Sequence, residues 1–344
     1  MNECDMQLSG MEPASRQAAR LASGDWQSRA AAPPRKVLVA TTMASISGTL
    51  AERLAQTEAL IDAVAGQTAC EYPGRRLDLV VLPEHVLMSG DSSSAQTKAV
   101  PLDGPVRALF ARKAREYGTY LVGTLILREE ERVSNAAVVF DRIGAVVGIH
   151  RKVHPVATIG GDLEDGITPG NDYSVIDCDF GKIGILICWD MAHEEAWATL
   201  ADRGAEIVVV PSASSQTLRP MSQALRHQYY VVTSTPRDNA SVFNPIGMTI
   251  ARTTAAPALV CEIDLAYAVL HWSDRLEEGR LFHRAYGDRV GYQYAQREDT
   301  GVFWSNDASM PIGRMVAAVE LEEMPDQIAR CRALRAAVLR RGKK

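Results

Sequence analysis

Between Lys36 and about residue 265, short apolar runs of strand length alternate with segments whose apolar residues recur at helical spacing. No other feature of the chain constrains its fold as much. "KVLVATTM" has strand character and "TLAERLAQTEALIDAVAG" helical spacing. "LDLVVLPE" is a second strand that breaks at a proline. "GPVRALFARKAREYG" opens with Pro and closes with Gly, the asymmetry of a helix. "TYLVGTLIL" and "SNAAVVFDRIGAVVGIHRKVH" supply strands, the latter folding back at "DRIG". "YSVIDCDFGKIGILICWD" predicts a hairpin turned at "DFGK". A helix over roughly 192–203, the strand "EIVVVPSA", a helix around "PMSQALRHQYY" and the strands "YVVTST", "ASVFNPIGMTIART" and "ALVCEIDL" complete the region. Strands alternating with helices, joined by several direct hairpins, predict an α/β domain with a mixed sheet covered by helices.

The flanks read differently. Residues 1–35, rich in Ala, Ser and Arg and without the continuous apolar core of a secretion signal, are expected to be a loosely ordered extension. Residues 266–344 lack the alternating rhythm. They hold one helix, "PDQIARCRALRAAVLRR", after an irregular stretch rich in Gly, Tyr and Trp, and are expected to pack on the domain or on a partner subunit. No stretch of about 18 apolar residues predicts a membrane span. A formal charge of -5 gives no reason to expect nucleic acid or an anionic membrane as partner. The six cysteines are dispersed, with neither disulfide-scaffold density nor a CxxC pair, which points to reduced thiols in a cytoplasmic compartment.

Catalytic side chains in such sheets concentrate at the carboxyl ends of strands. Glu84 ends "LDLVVLPE", Lys152 ends "AVVGIHRK" and Cys188 ends "KIGILIC". Singly, each has a plain structural explanation: a solvated strand end, a surface lysine, a core thiol. As a set they have complementary chemistry. A thiol attacks as thiolate and needs a base; a carboxylate whose pKa is raised by partial burial can supply one. A lysine can stabilise the oxyanion formed when sulfur attacks a carbonyl or nitrile carbon. If Cys188 precedes a helix, the backbone amides from Trp189 onward add to that stabilisation.

"LPE", "HRKVH" and "CWDMAHEE" followed by "DRGAEIVVVPSAS" resemble the nitrilase superfamily of carbon–nitrogen hydrolases over about residues 36–265. "YLVGTLI", "SNAAVVFDRIGAVVGIHRK", "TPGNDYSVID" and "CEIDL" support the match. The resemblance implies an α-β-β-α sandwich whose subunits pair as homodimers or larger homo-oligomers. It also implies a Glu84–Lys152–Cys188 triad that cleaves a non-peptide C–N bond through a thioester, without metal or organic cofactor. Glu164 is the best match for a further glutamate that positions substrate or lysine, with Asp162 and Asp165 as competitors.

The pattern is not followed everywhere. Glu194 stands at a usual proline, Ala198 at a usual arginine, Thr235 at a usual asparagine, and Thr41 or Thr42 at a usual glutamine. "CWD" leans by family habit toward amidases and N-carbamoyl amidohydrolases, with a small-molecule amide or carbamoyl substrate. A true nitrilase, or a catalytically silent scaffold, is the alternative. His85, His154, Trp189, Met191, His193, Ser212 and Ser214 follow triad positions or strand ends and are candidates to line the acyl pocket, or to pack in the core. A Cys188–His193 dyad is a further reading, although the lysine-glutamate pattern already supplies a base, and a zinc site from Cys178, Cys188 and His193 lacks a second Cys/His pair with ligand spacing.

Overall fold

A computed structural model describes residues 25–87, 93–164 and 166–341. Asp165, most of the N-terminal extension and the chain's last three residues lie outside it. Contacts divide the chain into two compact units, residues 37–263 and residues 1–36 with 264–344.

In the larger unit, the first sheet contains β1 (Lys36–Thr42), β2 (Leu79–Val81), β3 (Val100–Pro101), β4 (Tyr120–Glu129), β5 (Arg132–Phe140) and β6 (Val146–Arg151). The second contains β7 (Val175–Cys178), β8 (Gly181–Ile185), β9 (Ile207–Pro211), β10 (Tyr230–Ser234), β11 (Ala240–Phe243) and β12 (Thr249–Thr253). The last strand of the unit, β13 (Ala258–Asp264), returns to the first sheet beside β1, giving the orders β13-β1-β2-β4-β5-β6, with β3 on β4, and β12-β11-β10-β9-β8-β7. Each sheet has a parallel core, β1-β2-β4 or β8-β9-β10, extended by antiparallel strands. Both predicted hairpin turns form, at Asp141–Gly144 between β5 and β6 and at Asp179–Phe180 between β7 and β8. "ASVFNPIGMTIART" is two antiparallel strands, β11 and β12, not one, because Gly247 at φ 75° turns the chain between them.

Helices close both outer faces. The helix α1 (Leu50–Glu71) starts at a reciprocal capping box, Thr49 with Glu52. The next long helix, α2 (Pro105–Tyr117), begins at Pro105 and ends on left-handed Gly118. Leu60, Ile61 and Val64 of α1 and Phe110 and Ala114 of α2 pack on Leu38, Val80, Leu121 and Phe140 of the first sheet. On the second sheet, α3 (Glu194–Asp202) and α4 (Leu218–His227) bring Trp197, Leu200 and Ala224 against Val208, Val210, Val231 and Phe243. Alternate strand residues point the opposite way, and Val39, Val81, Val122, Ile183, Ile185 and Val209 are buried too. Both faces of each sheet are thus covered, which is why the strands read as continuous apolar runs. The two sheets meet where Thr41 Oγ1 donates to Thr233 O at 2.6 Å and Ser234 Oγ to Thr42 O at 2.8 Å. Another close point is Gly148, where a Cβ would lie 2.2 Å from Ile176 Cδ1. This is the expected α-β-β-α sandwich.

One end of the sandwich is clamped by Arg142, from the β5–β6 turn. Its guanidinium donates to Asp78 Oδ1 (2.7 Å), to both carboxylate oxygens of Asp179 (2.6 and 2.8 Å) and to Gly118 O (2.8 Å), tying turns from both sheets together. A planar five-donor fork suits this set of acceptors.

In the smaller unit, the expected irregular stretch after residue 266 is corrected. β14 (Tyr267–His271), β15 (Val290–Ala295) and β16 (Thr300–Ser305) form an antiparallel sheet in the order β14-β16-β15. Leu270, Leu276, Phe282, Phe303, Ile312 and Met315 build a separate core there, joined by Ala30 from the N-terminal helix Asp25–Ala31. The glycines that disguised these strands make room for cross-strand aromatics: at Gly291 a Cβ would fall 2.3 Å from Trp304. The predicted C-terminal helix spans Met324–Arg341. No helix among the described residues is long and apolar enough to cross a membrane.

Arg142→Ala takes the 2.7 Å ion pair from the buried Asp78, leaving Arg76 at 4.0 Å, and is expected to lower unfolding stability by about 3 kcal/mol. Urea denaturation followed by circular dichroism checks this, and Arg142→Lys should recover only part of the loss.

Candidate active site

Glu84, Lys152 and Cys188 converge at the end of the sandwich opposite Arg142, where β2, β6 and β8 run out. Glu84 and Lys152 are buried, at 2 % and 1 % exposure. Lys152 Nζ donates to Glu84 Oε1 at 2.9 Å and to Glu164 Oε1 at 2.5 Å. The other Glu84 oxygen accepts the Ala213 N–H at 2.8 Å, from the loop after β9. The Cys188 thiol is in hydrogen-bonding reach of Glu84 and of Ser212.

Cys188 opens a short 3₁₀ helix, Cys188–Ala192, with φ at 46°; the helix expected over roughly 192–203 follows as a separate element, Glu194–Asp202. His85 (φ 56°) and Glu164 (φ 39°) are also in the left-handed region. Such conformations are costly for residues with a Cβ and persist where surrounding contacts over-determine them. A sharp, strained strand-to-helix turn is a known way to hold a nucleophile proud of a sheet.

The charges settle as carboxylate, ammonium and thiol. Burial pushes Glu84 up, but His85 and Lys152 outweigh it and hold the carboxyl at about 2. The expectation of a carboxylate raised by burial is therefore corrected: the neighbouring cation wins. Burial disfavours the charged form of Lys152, yet Glu84, Cys188 and Glu164 raise it well above the usual lysine range. Burial, followed by the Glu84 charge, pushes the Cys188 thiol up to about 11. The resting sulfur is protonated.

The remaining sequence candidates separate clearly. Glu164 joins the Glu84–Lys152–Cys188 cluster through Lys152 and also accepts the Val156 N–H, whereas Asp162 is engaged with Thr158; Asp165 is outside the described residues. His85 Nε2 lies 3.5 Å from Glu84 Oε1. Ser212 Oγ donates to Ser214 O and accepts the Ser214 N–H, fixing the loop under the thiol. Trp189 is the second residue of the turn that Cys188 opens and is 42 % exposed. Met191 does not line a pocket; it is buried in the core with Trp197.

His154 and His193 stack face to face at 3.5 Å, His154 meets the Tyr173 hydroxyl at 2.7 Å, and His193 lies 3.5 Å from Glu195. The Cys188 thiol faces Glu84, Lys152 and Ser212, while His193 is engaged with His154 and Glu195. Among the described residues no cysteine joins a cluster of metal-ligating groups. The His154–His193–Glu195 cluster presents parallel ring planes, so its lone pairs do not converge, and the Glu84–His85–Glu164 cluster is filled by the lysine ammonium. Of the departures from pattern, Glu194 pairs with Arg226 and Gln223 between α3 and α4, and Thr235 donates within its own loop.

Two residues escaped the sequence reading. Asp190 of "CWD" is fully buried; its Oδ2 accepts from Ile187 N–H (3.0 Å) and lies 3.2 Å from His150 Nε2, and its Oδ1 accepts from His154 N–H (2.7 Å). It ties the strand end carrying Cys188 to the strand carrying Lys152, a physical reason for aspartate that the sequence did not supply. Asn135, fully buried in β5, donates to Glu84 Oε1 at 2.8 Å and approaches Glu164 Oε2 at 3.4 Å. An amide in a run of apolar strand residues was its signal.

A thiol, a carboxylate and an ammonium thus converge beside strained turns on a four-layer sandwich. A profile of the carbon–nitrogen hydrolase family matches residues 38–270. The chain belongs to that family and is a carbon–nitrogen hydrolase of the nitrilase superfamily. Omega-amidase NIT2 of Danio rerio is 27% identical over 256 residues, 67% of this chain and 90% of that protein. The human omega-amidase NIT2 is 30% identical over 176 residues, covering 44% of this chain and 64% of that one. In fold, Nit3 of Saccharomyces cerevisiae superposes with a TM-score of 0.58 at 22% identity, covering 76% of this chain and 97% of its own. An amidase from Nesterenkonia sp. AN1, solved with acrylamide, gives 0.54 at 18% identity over 74% and 97%.

Because Glu84 opposes ionisation of the thiol, Glu84→Gln should speed alkylation of Cys188 by iodoacetamide several-fold at pH 8, despite the lower nucleophilicity of a less basic thiolate. In the parent the rate should climb without a plateau up to about pH 10, as a thiol near 11 requires. Mass spectrometry of the Cys188 peptide measures both.

Proposed function

We propose that this enzyme hydrolyses a small-molecule amide through a Cys188 thioester, with residues 36–265 as the catalytic region. The observation that carries the reading is a single buried ammonium, Lys152, held between Glu84 and Glu164 beside a protonated thiol. As sulfur attacks the amide carbon, its proton passes to Glu84, so no free thiolate has to accumulate. The carbonyl oxygen becomes an oxyanion opposite Lys152 and the Trp189 amide. Negative charge growing there draws on the lysine's field, which leaves Glu84 more basic than in the resting site. Collapse breaks the C–N bond; Glu84 returns the proton to the leaving nitrogen, and ammonia or an amine departs. Glu84 then takes a proton from water, the resulting hydroxide attacks the thioester, and the carboxylic acid leaves as sulfur recovers its proton. Glu164 keeps Lys152 aimed throughout.

The names of the relatives support an amide over a nitrile. Trp189, His85 and Ser212 are the side chains we assign to the acyl pocket, with His154 and His193 at greater remove. We further infer a homo-oligomer working in a reducing, cytoplasm-type compartment, where Cys188 stays free.

A panel of amides, N-carbamoyl compounds and nitriles, assayed for ammonia, tests the reaction, and mass spectrometry of the adduct on Cys188 names the acyl group. Amides should give ammonia and acid in equal amounts. Cys188→Ala should lower kcat by at least about 10³-fold, in line with loss of a covalent nucleophile. Turnover of nitriles alone, or of nothing in the panel, overturns the amide reading.

A further inference from the structure

We propose that Asn135 is a positioning residue for this reaction: its side-chain amide holds Glu84 and Glu164 on either side of Lys152, while its backbone carbonyl fixes the lysine's own strand end. The proposal rests on the hydrolytic reading above and adds to it the means by which two carboxylates share one ammonium.

The register places Asn135 for this. β5 and β6 pair with Ala136 opposite Arg151, and one step further the Lys152 N–H donates to Asn135 O at 2.8 Å. The same residue then extends Nδ2 to Glu84 Oε1 at 2.8 Å and toward Glu164 Oε2 at 3.4 Å. Glu84 and Glu164 bring oxygen atoms within 4.8 Å of each other, close enough for strong repulsion in a buried site. Lys152 neutralises one charge of the two. Asn135 supplies a second shared donor, without adding charge.

The orientation of the amide is fixed by its partners, since a flipped Asn135 would aim Oδ1 at two carboxylate oxygens. As oriented, Oδ1 is buried without a hydrogen-bond partner. A central strand position is normally filled by an apolar side chain, and a buried orphan acceptor is a standing cost. What offsets that cost here is the pair of donors reaching the two carboxylates.

The groups facing Glu84 are His85 from its own turn, Lys152 from β6, Cys188 from the nucleophile turn, the Ala213 N–H after β9, and Glu164 across the ammonium. Asn135→Asp keeps the shape but adds an acidic group to this set. A proton on that group preserves one donor, and its loss leaves three like charges around one ammonium. Asn135→Asp should therefore gain a descending limb in kcat that the parent lacks, at least fivefold lower at pH 8 than at pH 5.5. Asn135→Ala should lose about 10- to 100-fold in kcat with KM within about threefold, and gain no new limb.

Both variants are checked for folding by circular dichroism, and the pH dependence of Cys188 alkylation is measured alongside turnover. Alkylation at pH 8 should slow at least threefold in Asn135→Asp. That readout needs no substrate, so an absence of amide turnover in the parent would overturn the hydrolytic reading while still deciding the role of Asn135. Folded variants whose kcat profile, or alkylation profile where the parent is silent, follows the parent's within threefold overturn the proposal. If one variant fails to fold, the other decides it.

Discussion

The candidate site depends on one buried ammonium. Lys152 is buried away from bulk solvent, so the fold must bring it opposite charge and hydrogen bonds or lose its charge altogether. Glu84 and Glu164 answer that demand from two different segments, one after a parallel strand and one from the loop beyond β6. The same pairing sets the state of the other groups. It keeps Glu84 ionised against its own burial, and Glu84 in turn keeps the Cys188 thiol protonated. The resting site thus holds two carboxylates, one ammonium and a neutral thiol, and in the reaction proposed here its reactivity is released when a substrate oxygen takes up negative charge beside the lysine.

Supporting contacts keep that arrangement in register. Asp190 joins the strand ends behind Cys188 and Lys152, Asn135 spans the two glutamates, and Ser212 braces the loop below the thiol. At the far end, Arg142 binds turns from both sheets. Three site residues, His85, Glu164 and Cys188, hold left-handed backbone conformations that isolated chain would avoid. A rigid, doubly covered sandwich can hold such strain, and the strain aims their side chains at one point.

Much of this was legible beforehand. Apolar runs covered on both faces identified the strands, and Glu84, Lys152 and Cys188 were visible because each terminates one. Glu164 emerged from resemblance and not from pattern. Asn135 and Asp190 were missed because their importance lies in partners 29 to 51 residues away or on other strands, which local spacing does not encode. The strands near residues 267–305 were missed for a different reason. Their glycines and aromatics read as punctuation, and only cross-strand packing of Trp304 over Gly291 reveals them as sheet.

By itself the sequence determined most of the order of strands and helices between residues 36 and 265 and singled out Glu84, Lys152 and Cys188, because periodicity and strand ends are local properties of a chain. The tertiary structure decided the charge balance around Cys188, the engagement of His193 with His154 and Glu195, and the contacts of Asp190 and Asn135. Each of those turns on the field and hydrogen bonds that distant segments bring to a buried point. Burial alone argued for a basic carboxylate at Glu84; His85 and the Lys152 ammonium folded against it reversed the sign.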